Sequence, residues 1–349
     1  MTSSAHVAVI GAGSWGTALA AVLAGAGHRV TLWCREPTVA DAINRERANT
    51  AFLPGAALPE GIRATADLAA AVAAARDLVV WVVPSQFSRR VLAEAAPALA
   101  AGVPVVSATK GIEVETLLPV TGVFEEILGP GVRDRLAVLS GPSFAREVVQ
   151  GAPTAVAVAA WQAEVAERVQ SLFGTSMFRV YTNDDPLGTQ IGGALKNVVA
   201  IAAGAVEGLG FGSNTQSVLI TRGLAEITRL GVRLGANPAT FAGLAGMGDL
   251  VLTCTGGLSR NRQVGIALGR GGKLEAILGE MRMVAEGVKT TQAAWRLAQK
   301  SGVEMPIVEQ VHRVLFEGAT AREALSALMG RPQRSEDAFL SGGGHGPQR

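Results

Sequence analysis

The sequence predicts a doubly wound α/β domain with a mostly parallel sheet, followed by an all-α domain. Three observations support this prediction. Short runs of β-branched residues alternate with alanine- and leucine-rich stretches of helical period as far as Tyr181, a glycine-rich turn follows the first of these runs, and the runs cease after Tyr181. Such alternation is typical of β-α-β units, in which helical crossovers leave the strands parallel. A chain of 349 residues is long enough for two domains.

The boundary between the domains is expected at a turn-rich break, residues 182–186, after the last predicted strand. We therefore assign residues 1–182 to the first domain and residues 183–330 to the second. Residues 331–349 are too polar and too rich in glycine to be buried, so we expect a disordered tail there. The predicted strands, with helices in most of the gaps, are residues 7–10, 30–33, 78–83, 103–108, 136–140, 154–159 and 178–181.

The composition excludes several classes of protein. With 31 basic and 29 acidic residues the net charge is +2, and charged residues make up 17% of the chain, so no broad nucleic-acid-binding surface is expected. Hydrophobic residues reach 48%, but no uncharged apolar run approaches the roughly 18 to 20 residues that a bilayer span needs. The first residues lack the features of a secretion signal. We expect a cytoplasmic protein without a membrane span.

The cysteines and histidines argue against thiol and metal chemistry. Cys34 and Cys254 are too far apart in sequence for a redox motif, and they suggest no disulfide framework. The four histidines show neither metal-ligand spacing nor a catalytic Ser-His-Asp or Cys-His arrangement. We therefore expect no metal site and a chemistry that depends on lysine and a bound cofactor.

The glycine-rich turn Gly11-Ala-Gly13-Ser-Trp-Gly16 lies directly after the first predicted strand and before a helix expected from about Thr17. In this context a G-x-G-x-x-G pattern is typical of a Rossmann-type dinucleotide site. Gly11 permits the tight turn, Gly13 lets the backbone approach a pyrophosphate, and Gly16 lets the helix pack against the strand. The alternative is a glycine turn that binds nothing.

The choice of cofactor is expected to depend on the end of the second predicted strand. An NAD enzyme usually places an acid there that binds the ribose hydroxyls, but this chain reads Trp33-Cys34-Arg35-Glu36. Arg35 suits a ribose 2′-phosphate, so NADP(H) is favoured and NAD(H) remains possible. Alternatively, Arg35 is simply solvated and Glu36 binds the ribose.

Two further motifs follow predicted strands, whose carboxyl ends are where ligands bind in open α/β sheets. Ala108-Thr-Lys110-Gly111 would place the Lys110 cation near the nicotinamide, unless it is an ordinary surface lysine. Ser140-Gly-Pro-Ser143-Phe-Ala145 is a strand-to-helix turn whose amides and Ser143 hydroxyl would bind an oxyanion or phosphate. An ordinary helix cap also explains Ser143.

Lys196 is the candidate for proton transfer in the second domain. It lies near the start of an apolar helix that we expect to continue through Val206, on an otherwise buried face. Burial favours the neutral amine, which acts as a general base on an alcohol. Asp249, in a glycine-rich turn, would orient that amine. The alternatives are a structural Lys196, paired with Asp249 or with a helix C-terminus, and Asp249 as a helix cap.

An anion site is predicted at Ser259-Arg260-Asn261-Arg262, which precedes a helical run at residues 263–268. A capping serine, two arginines and exposed backbone amides would meet there at a positive helix end. Arginine forks bind phosphate through charge-assisted hydrogen bonds, so this end suits a phosphate dianion. The alternative is a solvated basic cap. Glu286 is a weaker candidate, since an acid before a glycine is more often part of a turn.

Together these motifs resemble the bacterial NAD(P)-dependent glycerol-3-phosphate dehydrogenases over residues 7–329. The chain departs from the pattern of this family in two places. Ala205 and Val206 stand where bulkier or polar residues are expected, and the sequence after Gly330 is idiosyncratic. The motifs that support the resemblance are GAGSWG from Gly11, ATKG from Ala108, SGPSFA from Ser140, GGALKNVVAIAAG from Gly192, ITRGLAE from Ile220, GMGDLVLTC from Gly246 and SRNR from Ser259.

The resemblance implies an oxidoreductase that interconverts sn-glycerol 3-phosphate and dihydroxyacetone phosphate with NAD(P)(H), supplying glycerol 3-phosphate for phospholipid biosynthesis. It implies that Lys196 is the proton acceptor and that Lys110 and Asp249 take part in catalysis. The nucleotide would be bound by Ser14, Trp15, Arg35, Lys110, Ala145, Arg260, Val284 and Glu286. The substrate would be bound by Lys110, Gly141, Ser143, Lys196, Asp249, Ser259, Arg260 and Asn261.

Two other classes of protein remain open from the residues alone. A two-domain dehydrogenase of the 6-phosphogluconate or 3-hydroxyisobutyrate type has the same plan, but the SRNR motif favours a small phosphorylated alcohol. A dinucleotide-binding sensor that has lost the reaction is disfavoured by the presence of Lys110, Lys196 and Asp249. Exposed apolar helical faces in the second domain predict a homodimer.

Overall fold

The computed structural model describes residues 4–281, 285–333 and 335–336. Val284, predicted to bind the nucleotide, and residues 334 and 337–349 of the predicted tail lie outside these ranges. Within the described ranges the strands are β1 (His6–Ile10), β2 (Arg29–Trp33), β3 (Ile62–Thr65), β4 (Leu78–Trp81), β5 (Val105–Ser107), β6 (Leu136–Ser140), β7 (Thr154–Ala160) and β8 (Phe178–Asn183). The helices are α1 (Ser14–Gly25), α2 (Pro37–Glu46), α3 (Leu68–Ala73), α4 (Ser85–Ala95), α5 (Val120–Leu128), α6 (Ala145–Val149), α7 (Ala163–Phe173), α8 (Pro186–Gly208), α9 (Ser213–Arg233), α10 (Pro238–Phe241), α11 (Asp249–Thr255), α12 (Arg260–Gly269), α13 (Leu274–Glu280), α14 (Glu286–Ser301), α15 (Pro306–Phe316) and α16 (Ala321–Met329).

The strands of the described residues form one eight-stranded sheet in the order β3-β2-β1-β4-β5-β6-β7-β8. Neighbouring strands are parallel except for β6 and β7, which are antiparallel. The sequence order reverses at β1, where Val9 pairs with Leu32 of β2 on one side and with Val80 of β4 on the other. The predicted doubly wound, mostly parallel sheet is confirmed, and ligands in such sheets bind beyond the carboxyl ends of the strands at this switch point.

Alternation along the strands divides the core between the two faces of the sheet. In β1, Val7 and Val9 belong to one apolar cluster, and Ala8 and Ile10 belong to another. Because helices cover both clusters, the central strands are almost entirely apolar, as in β4, where all four residues are apolar and buried. This burial explains why the central strands stand out as uninterrupted apolar runs in the sequence.

One strand of the sheet was not predicted. β3 pairs with β2 from Ile62 opposite Val30 to Thr65 opposite Trp33. Only Ile62 and Ala64 are buried in this edge strand, whereas Arg63 is exposed, so the segment has no apolar run. The predicted ends also differ in places, since α1 begins at Ser14 rather than at Thr17, and β8 continues through the predicted break to Asn183.

The chain divides into two compact units. Unit 1 comprises the residues up to Lys110 together with 118–189, and unit 2 comprises 111–117 and the residues from Gln190 onward. The division falls inside α8, after the boundary expected at residues 182 and 183. The expected boundary lies instead beside the short loop between β8, which ends at Asn183, and α8, which begins at Pro186. In this loop the Asp185 carboxylate accepts a hydrogen bond from the Gly188 amide at 2.8 Å.

Helix α8 is the core helix of unit 2. By length and composition it is apolar enough to cross a membrane, and the bent pair formed by residues 238–255 and α12 passes the same test. However, 78% of the apolar window of α8 is buried inside the fold. A helix that is apolar on all sides is typical of such a buried position in a globular unit.

Candidate active site

The glycine turn after β1 has the geometry of a dinucleotide-binding loop. Gly11 has a φ of +116°, and a Cβ atom there would lie 2.8 Å from the Val82 carbonyl oxygen. A Cβ atom at Gly16 would lie 1.8 Å from the Gly11 carbonyl oxygen. Both positions therefore require glycine.

Gly13 differs from the other two glycines because a side chain at this position would meet no other atoms. It is the N-cap of α1 and makes no side-chain cap bond, and a Cβ atom there would meet nothing within 4 Å. The space beside Gly13, at the positive end of α1, is therefore open, which suits the close approach of a pyrophosphate. The Trp15 Nε1 atom in the same turn is buried and has no hydrogen-bond partner within the described residues, which also fits a bound ligand.

Asn49 holds this turn in place, and the sequence analysis missed it. Its amide group donates to the Ala12 carbonyl oxygen and to the Thr17 hydroxyl, both at 2.8 Å. The Ser14 hydroxyl donates to the Phe52 carbonyl oxygen at 2.6 Å. The segment after α2 therefore braces the glycine turn, but no local pattern in the sequence indicates a contact over that separation.

Arg35 and Glu36 lie together at the end of β2. The Arg35 side chain is 69% exposed, and its Nε donates to a Glu36 carboxylate oxygen at 2.8 Å. A guanidinium is thus present where the sequence places the selector for a 2′-phosphate. This guanidinium is bound to the carboxylate of Glu36, the residue that would bind the ribose in the alternative interpretation. The preference for NADP(H) over NAD(H) therefore stays a prediction.

Lys110 and Ser143 converge on Gly141. The Lys110 Nζ donates to the Gly141 carbonyl oxygen at 3.1 Å, and it lies 5.8 Å from the centroid of the Trp15 ring. The Ser143 hydroxyl donates to the same carbonyl oxygen at 2.9 Å. The residues predicted from the glycine turn, the β5 end and the β6 end are therefore brought together in unit 1.

The structure excludes the helix-cap interpretation of Ser143, and its role in binding an anion stays a prediction. The N-cap of α6 is Phe144, with no side-chain cap bond, so Ser143 is not a helix cap. Gly141 has a φ of +152°, and a Cβ atom there would lie 2.8 Å from the Val156 Cα. Ala145, the remaining predicted nucleotide contact in this segment, is the first residue of α6.

Phe87 is a further candidate for contact with a ligand at the switch point, and the sequence did not single it out. It follows β4, the strand beside β1 at the switch point, and lies in the first turn of α4. Its side chain is 41% exposed although it is a large aromatic residue. An exposed aromatic after a buried central strand is the signal that would have identified it.

In unit 2, Lys196 is buried with two polar partners. Its Nζ is 2.9 Å from the Thr253 hydroxyl oxygen and forms an ion pair with the Asp249 carboxylate. Lys196 is 6% exposed and Asp249 is 1% exposed. The predicted pairing of Lys196 with Asp249 is therefore present in the fold, and it accommodates both the catalytic and the structural interpretation.

Local geometry brings Asp249 to Lys196. A π-helical turn at Leu244–Gly248 precedes α11, so Asp249 is the first residue of α11 and Gly248 takes the cap position. A Cβ atom at Gly192, one turn before Lys196, would lie 2.7 Å from the Ala245 carbonyl oxygen. Glycine at 192 therefore lets this turn approach α8.

Thr253 was missed by the sequence analysis. It lies one turn after Asp249 on α11, and its hydroxyl donates to the Asp249 carbonyl oxygen at 2.6 Å. Because this bond uses the hydroxyl hydrogen, the oxygen faces Lys196 as an acceptor. By contrast, burial raises the pKa of the neighbouring Cys254 thiol to about 12, so it stays a neutral packed group.

The predicted anion site lies at the start of α12. Ser259 is its N-cap, and the Ser259 side chain accepts a hydrogen bond from the Arg262 amide at 3.3 Å. The Arg262 side chain pairs instead with Glu207, at 2.5 Å, so Arg260 is the arginine that stays the candidate for binding an anion at this end. Burial lowers the pKa of the Arg260 guanidinium, and Glu286 partly offsets the effect, but arginine remains charged.

The other two predicted residues are also in place near this end. The Asn261 side-chain oxygen accepts a hydrogen bond from the Gly287 amide at 3.0 Å. Glu286 is the first residue of α14. The start of α12 therefore combines a capped helix end, one half-buried arginine and the first turn of a second helix.

Comparisons with known proteins identify the family. The model for the NAD-dependent glycerol-3-phosphate dehydrogenase N-terminus matches residues 6–166, and the model for the C-terminus of the same family matches residues 185–326. The chain belongs to the NAD-dependent glycerol-3-phosphate dehydrogenase family. The resemblance drawn from the motifs is thereby confirmed for both halves of the chain.

Individual glycerol-3-phosphate dehydrogenases agree over nearly the whole length. A protein of Geobacter sp. (strain M21) named glycerol-3-phosphate dehydrogenase [NAD(P)+] is 59% identical over 95% of this chain and 98% of its own length. The glycerol-3-phosphate dehydrogenase structure from Coxiella burnetii is 39% identical, with a TM-score of 0.89 over 94% of this chain and 99% of its own. The Saccharomyces cerevisiae structure is 28% identical, with a TM-score of 0.78 over 93% and 99%.

Proposed function

We propose that this protein interconverts sn-glycerol 3-phosphate and dihydroxyacetone phosphate, with NADP(H) favoured over NAD(H) as the redox partner. The observation that supports the proposal best is the buried Lys196 amine, held by Asp249 and Thr253. A lysine is costly to bury unless its partners satisfy it, and an amine held in this way is suited to proton transfer. The family membership of both halves of the chain supports the same reaction.

Unit 1 supplies the residues that would hold the nucleotide. The α1 amides beside Gly13 would bind the pyrophosphate, and Arg35 would bind the ribose 2′-phosphate. Trp15 and Lys110, which lie close to each other, would contact the nicotinamide half. When bound, the nicotinamide supplies the acceptor or donor for a hydride at C2 of the substrate.

Lys196 would handle the proton of the reacting oxygen. In its neutral form the amine has two N–H bonds, which match Asp249 and Thr253 as acceptors, and one lone pair, which accepts the hydroxyl proton during alcohol oxidation. The C2 hydrogen leaves as hydride and the C–O bond becomes a carbonyl. In the reverse direction the ammonium group returns the proton.

The start of α12 would bind the substrate phosphate. Arg260 offers a guanidinium fork, and Ser259 and Asn261 fix the surrounding backbone through their hydrogen bonds. The phosphate lies away from the reacting carbon, so its binding energy positions C2 without taking part in the chemistry.

The decisive experiment is NADPH oxidation with dihydroxyacetone phosphate by the parent and by Lys196→Ala. Loss of the general base is expected to lower kcat by about 10²- to 10⁴-fold, while binding of NADPH, measured by fluorescence titration, is retained. Lys300→Ala, an exposed lysine of α14, is the matched control. Turnover by Lys196→Ala at the level of this control would remove Lys196 from the role, and a parent that does not oxidise NADPH would favour a sensor.

We further propose a cytoplasmic homodimer that supplies glycerol 3-phosphate for phospholipid synthesis. An apolar groove of about 380 Å³ runs along α9, α15 and α16 in unit 2. On these helices Val218 is 61% exposed and Met329 is 79% exposed. Such a surface suits a second copy of the chain, and a monomer mass by light scattering at working concentration would contradict the dimer.

A further inference from the structure

Helices α8 and α12 cross in unit 2 at very short range. Each helix carries two glycines four residues apart, Gly204 and Gly208 on α8 and Gly265 and Gly269 on α12. A Cβ atom at any of these four positions would lie 2.0–2.3 Å from a backbone carbonyl oxygen of the other helix. The two backbones are therefore in direct contact, and no side chain fits between them.

The contact is reciprocal along both helices. A Cβ atom at Gly204 would lie 2.0 Å from the Arg262 carbonyl oxygen, and one at Gly265 would lie 2.0 Å from the Ile201 carbonyl oxygen. One turn further on, Gly208 and Gly269 face each other in the same way. Since the earlier glycines pair and the later glycines pair, α8 and α12 run in the same direction through the crossing.

The first turn of α14 contacts the parts of α8 and α12 that precede the crossing. A Cβ atom at Gly287 would lie 2.6 Å from the Asn261 side-chain oxygen and 2.8 Å from the Asn197 carbonyl oxygen. The Gly287 amide also donates to that Asn261 oxygen at 3.0 Å. The first turn of α14 is thus fixed against the neighbours of Lys196 and Arg260 in sequence.

We propose that this glycine crossing sets the spacing between the Lys196 amine and the phosphate-binding end of α12, and so selects substrates by length. The inference rests on the proposed function. Lys196 precedes Gly204 by eight residues, and Arg260 precedes Gly265 by five. Lys196 therefore lies about 12 Å before the crossing along α8, and Arg260 lies about 7.5 Å before it along α12. The glycines are positioning residues, because they act through the two helices and touch no reacting atom.

Substrate selection follows from this fixed spacing. A substrate anchored by its phosphate at the start of α12 presents its carbonyl carbon at a distance set by its own chain length. The crossing holds Lys196 where C2 of a three-carbon phosphate arrives. If the helices moved apart, the three-carbon substrate would fall short and a longer one would be favoured.

The test is Gly265→Ala, with Gly279→Ala as its matched control. The new methyl group must move by about 1 Å or more to reach an ordinary contact with the Ile201 carbonyl oxygen, whereas a Cβ atom at Gly279 on α13 meets nothing within 4 Å. A displacement of this size is expected to lower kcat for dihydroxyacetone phosphate by about 10²-fold. The ratio of kcat/KM for a four-carbon phosphorylated hydroxyketone to that for dihydroxyacetone phosphate is expected to rise.

Two further measurements separate spacing from collapse. The KM for NADPH and the inhibition constant for inorganic phosphate, a probe that needs only the start of α12, are expected to stay at the parent values in Gly265→Ala. Turnover and selectivity equal to those of Gly279→Ala would overturn the proposal, and so would loss of phosphate inhibition together with turnover.

A second variant keeps the test decisive if Gly265→Ala does not fold. Gly208→Ala makes a milder clash, at 2.3 Å, and lies farther along α8, so smaller changes in the same direction are expected. Parent selectivity in that variant would reject the spacing role. Loss of turnover in Lys196→Ala beside normal selectivity in the glycine variants would reject only this inference, whereas a parent that does not oxidise NADPH with dihydroxyacetone phosphate would reject the proposed function itself.

Discussion

The buried carboxyl group of Glu226 predicts a pH dependence of stability in unit 2. Glu226 is 1% exposed, and it accepts hydrogen bonds from the backbone amides of Ile307 at 2.8 Å and Val308 at 3.3 Å, in the first turn of α15. Burial raises the pKa of Glu226 to about 8, although the two amide bonds act in the opposite direction. The folded protein therefore holds this proton more tightly than the unfolded chain does.

The sign and size of the effect follow from proton linkage. Below the ordinary pKa of 4.5, Glu226 is protonated in both states and its contribution to stability is fully present. As the pH rises toward 8, the unfolded chain releases the proton first, so the free energy of unfolding falls by about 1.4 kcal/mol per pH unit. Between pH 5 and pH 8 the loss from this group is about 3 to 4 kcal/mol.

Glu226→Gln removes this titration. The carboxamide oxygen satisfies one of the two amide groups, so the variant is expected to lose about 1 kcal/mol at pH 5. Between pH 5 and pH 8, however, the free energy of unfolding of the variant should fall by about 3 to 4 kcal/mol less than that of the parent. Urea unfolding at both pH values measures this difference.

Glu309→Gln, an exposed glutamate on α15, is the control and should keep the pH dependence of the parent. The other titrating groups are common to the parent and Glu226→Gln, so they cancel in that comparison. An equal fall in stability for Glu226→Gln and the parent would show that Glu226 ionises normally in the folded protein, and the reasoning from its burial would be wrong.

Two predictions concern ligand affinity. Arg260→Ala removes charge-assisted hydrogen bonds worth about 1.5–3 kcal/mol, so the KM for dihydroxyacetone phosphate should rise about 10- to 100-fold. The control Arg270→Ala, just beyond the other end of α12, should leave this KM unchanged. An unchanged KM in Arg260→Ala would contradict the phosphate assignment. Arg35→Asp should shift the kcat/KM preference from NADPH toward NADH, with the exposed Arg45→Asp as control, and an unaltered preference would make Arg35 a bystander.

A strand of the sheet was easiest to predict where both of its faces are buried, because such a strand is a continuous run of apolar residues. β4 is buried at all four positions and was found, whereas β3 exposes Arg63 and was missed. The division inside α8 was also beyond local patterns, because residues 182–186 contain turn formers and yet begin with the end of β8. Local composition describes the chain around a residue, and the limits of a compact unit depend on contacts between distant residues.

The candidate site shows the same distinction among its glycines. Gly16 and Gly265 have almost equal steric requirements, with Cβ atoms that would lie 1.8 Å and 2.0 Å from carbonyl oxygens. The oxygen that Gly16 meets belongs to Gly11 in the same motif, so the pattern G-x-G-x-x-G reports it. The oxygen that Gly265 meets belongs to Ile201, so nothing near Gly265 in the sequence indicates its role. Asn49 and Thr253 were missed for the same reason.

The fate of Arg262 bears on which anions the start of α12 can bind. The sequence places two arginines there, but Nη2 of Arg262 pairs with Glu207, and we expect Arg260 to act together with the helix amides. One guanidinium and one helix end match the charge and the size of a single phosphate group. A stripe of unpaired cations, which a polyanion requires, is not what this end presents. Because Arg262 pairs with Glu207, we expect the start of α12 to favour small monophosphates, and we expect Arg262 to hold α12 to α8 rather than to bind the substrate.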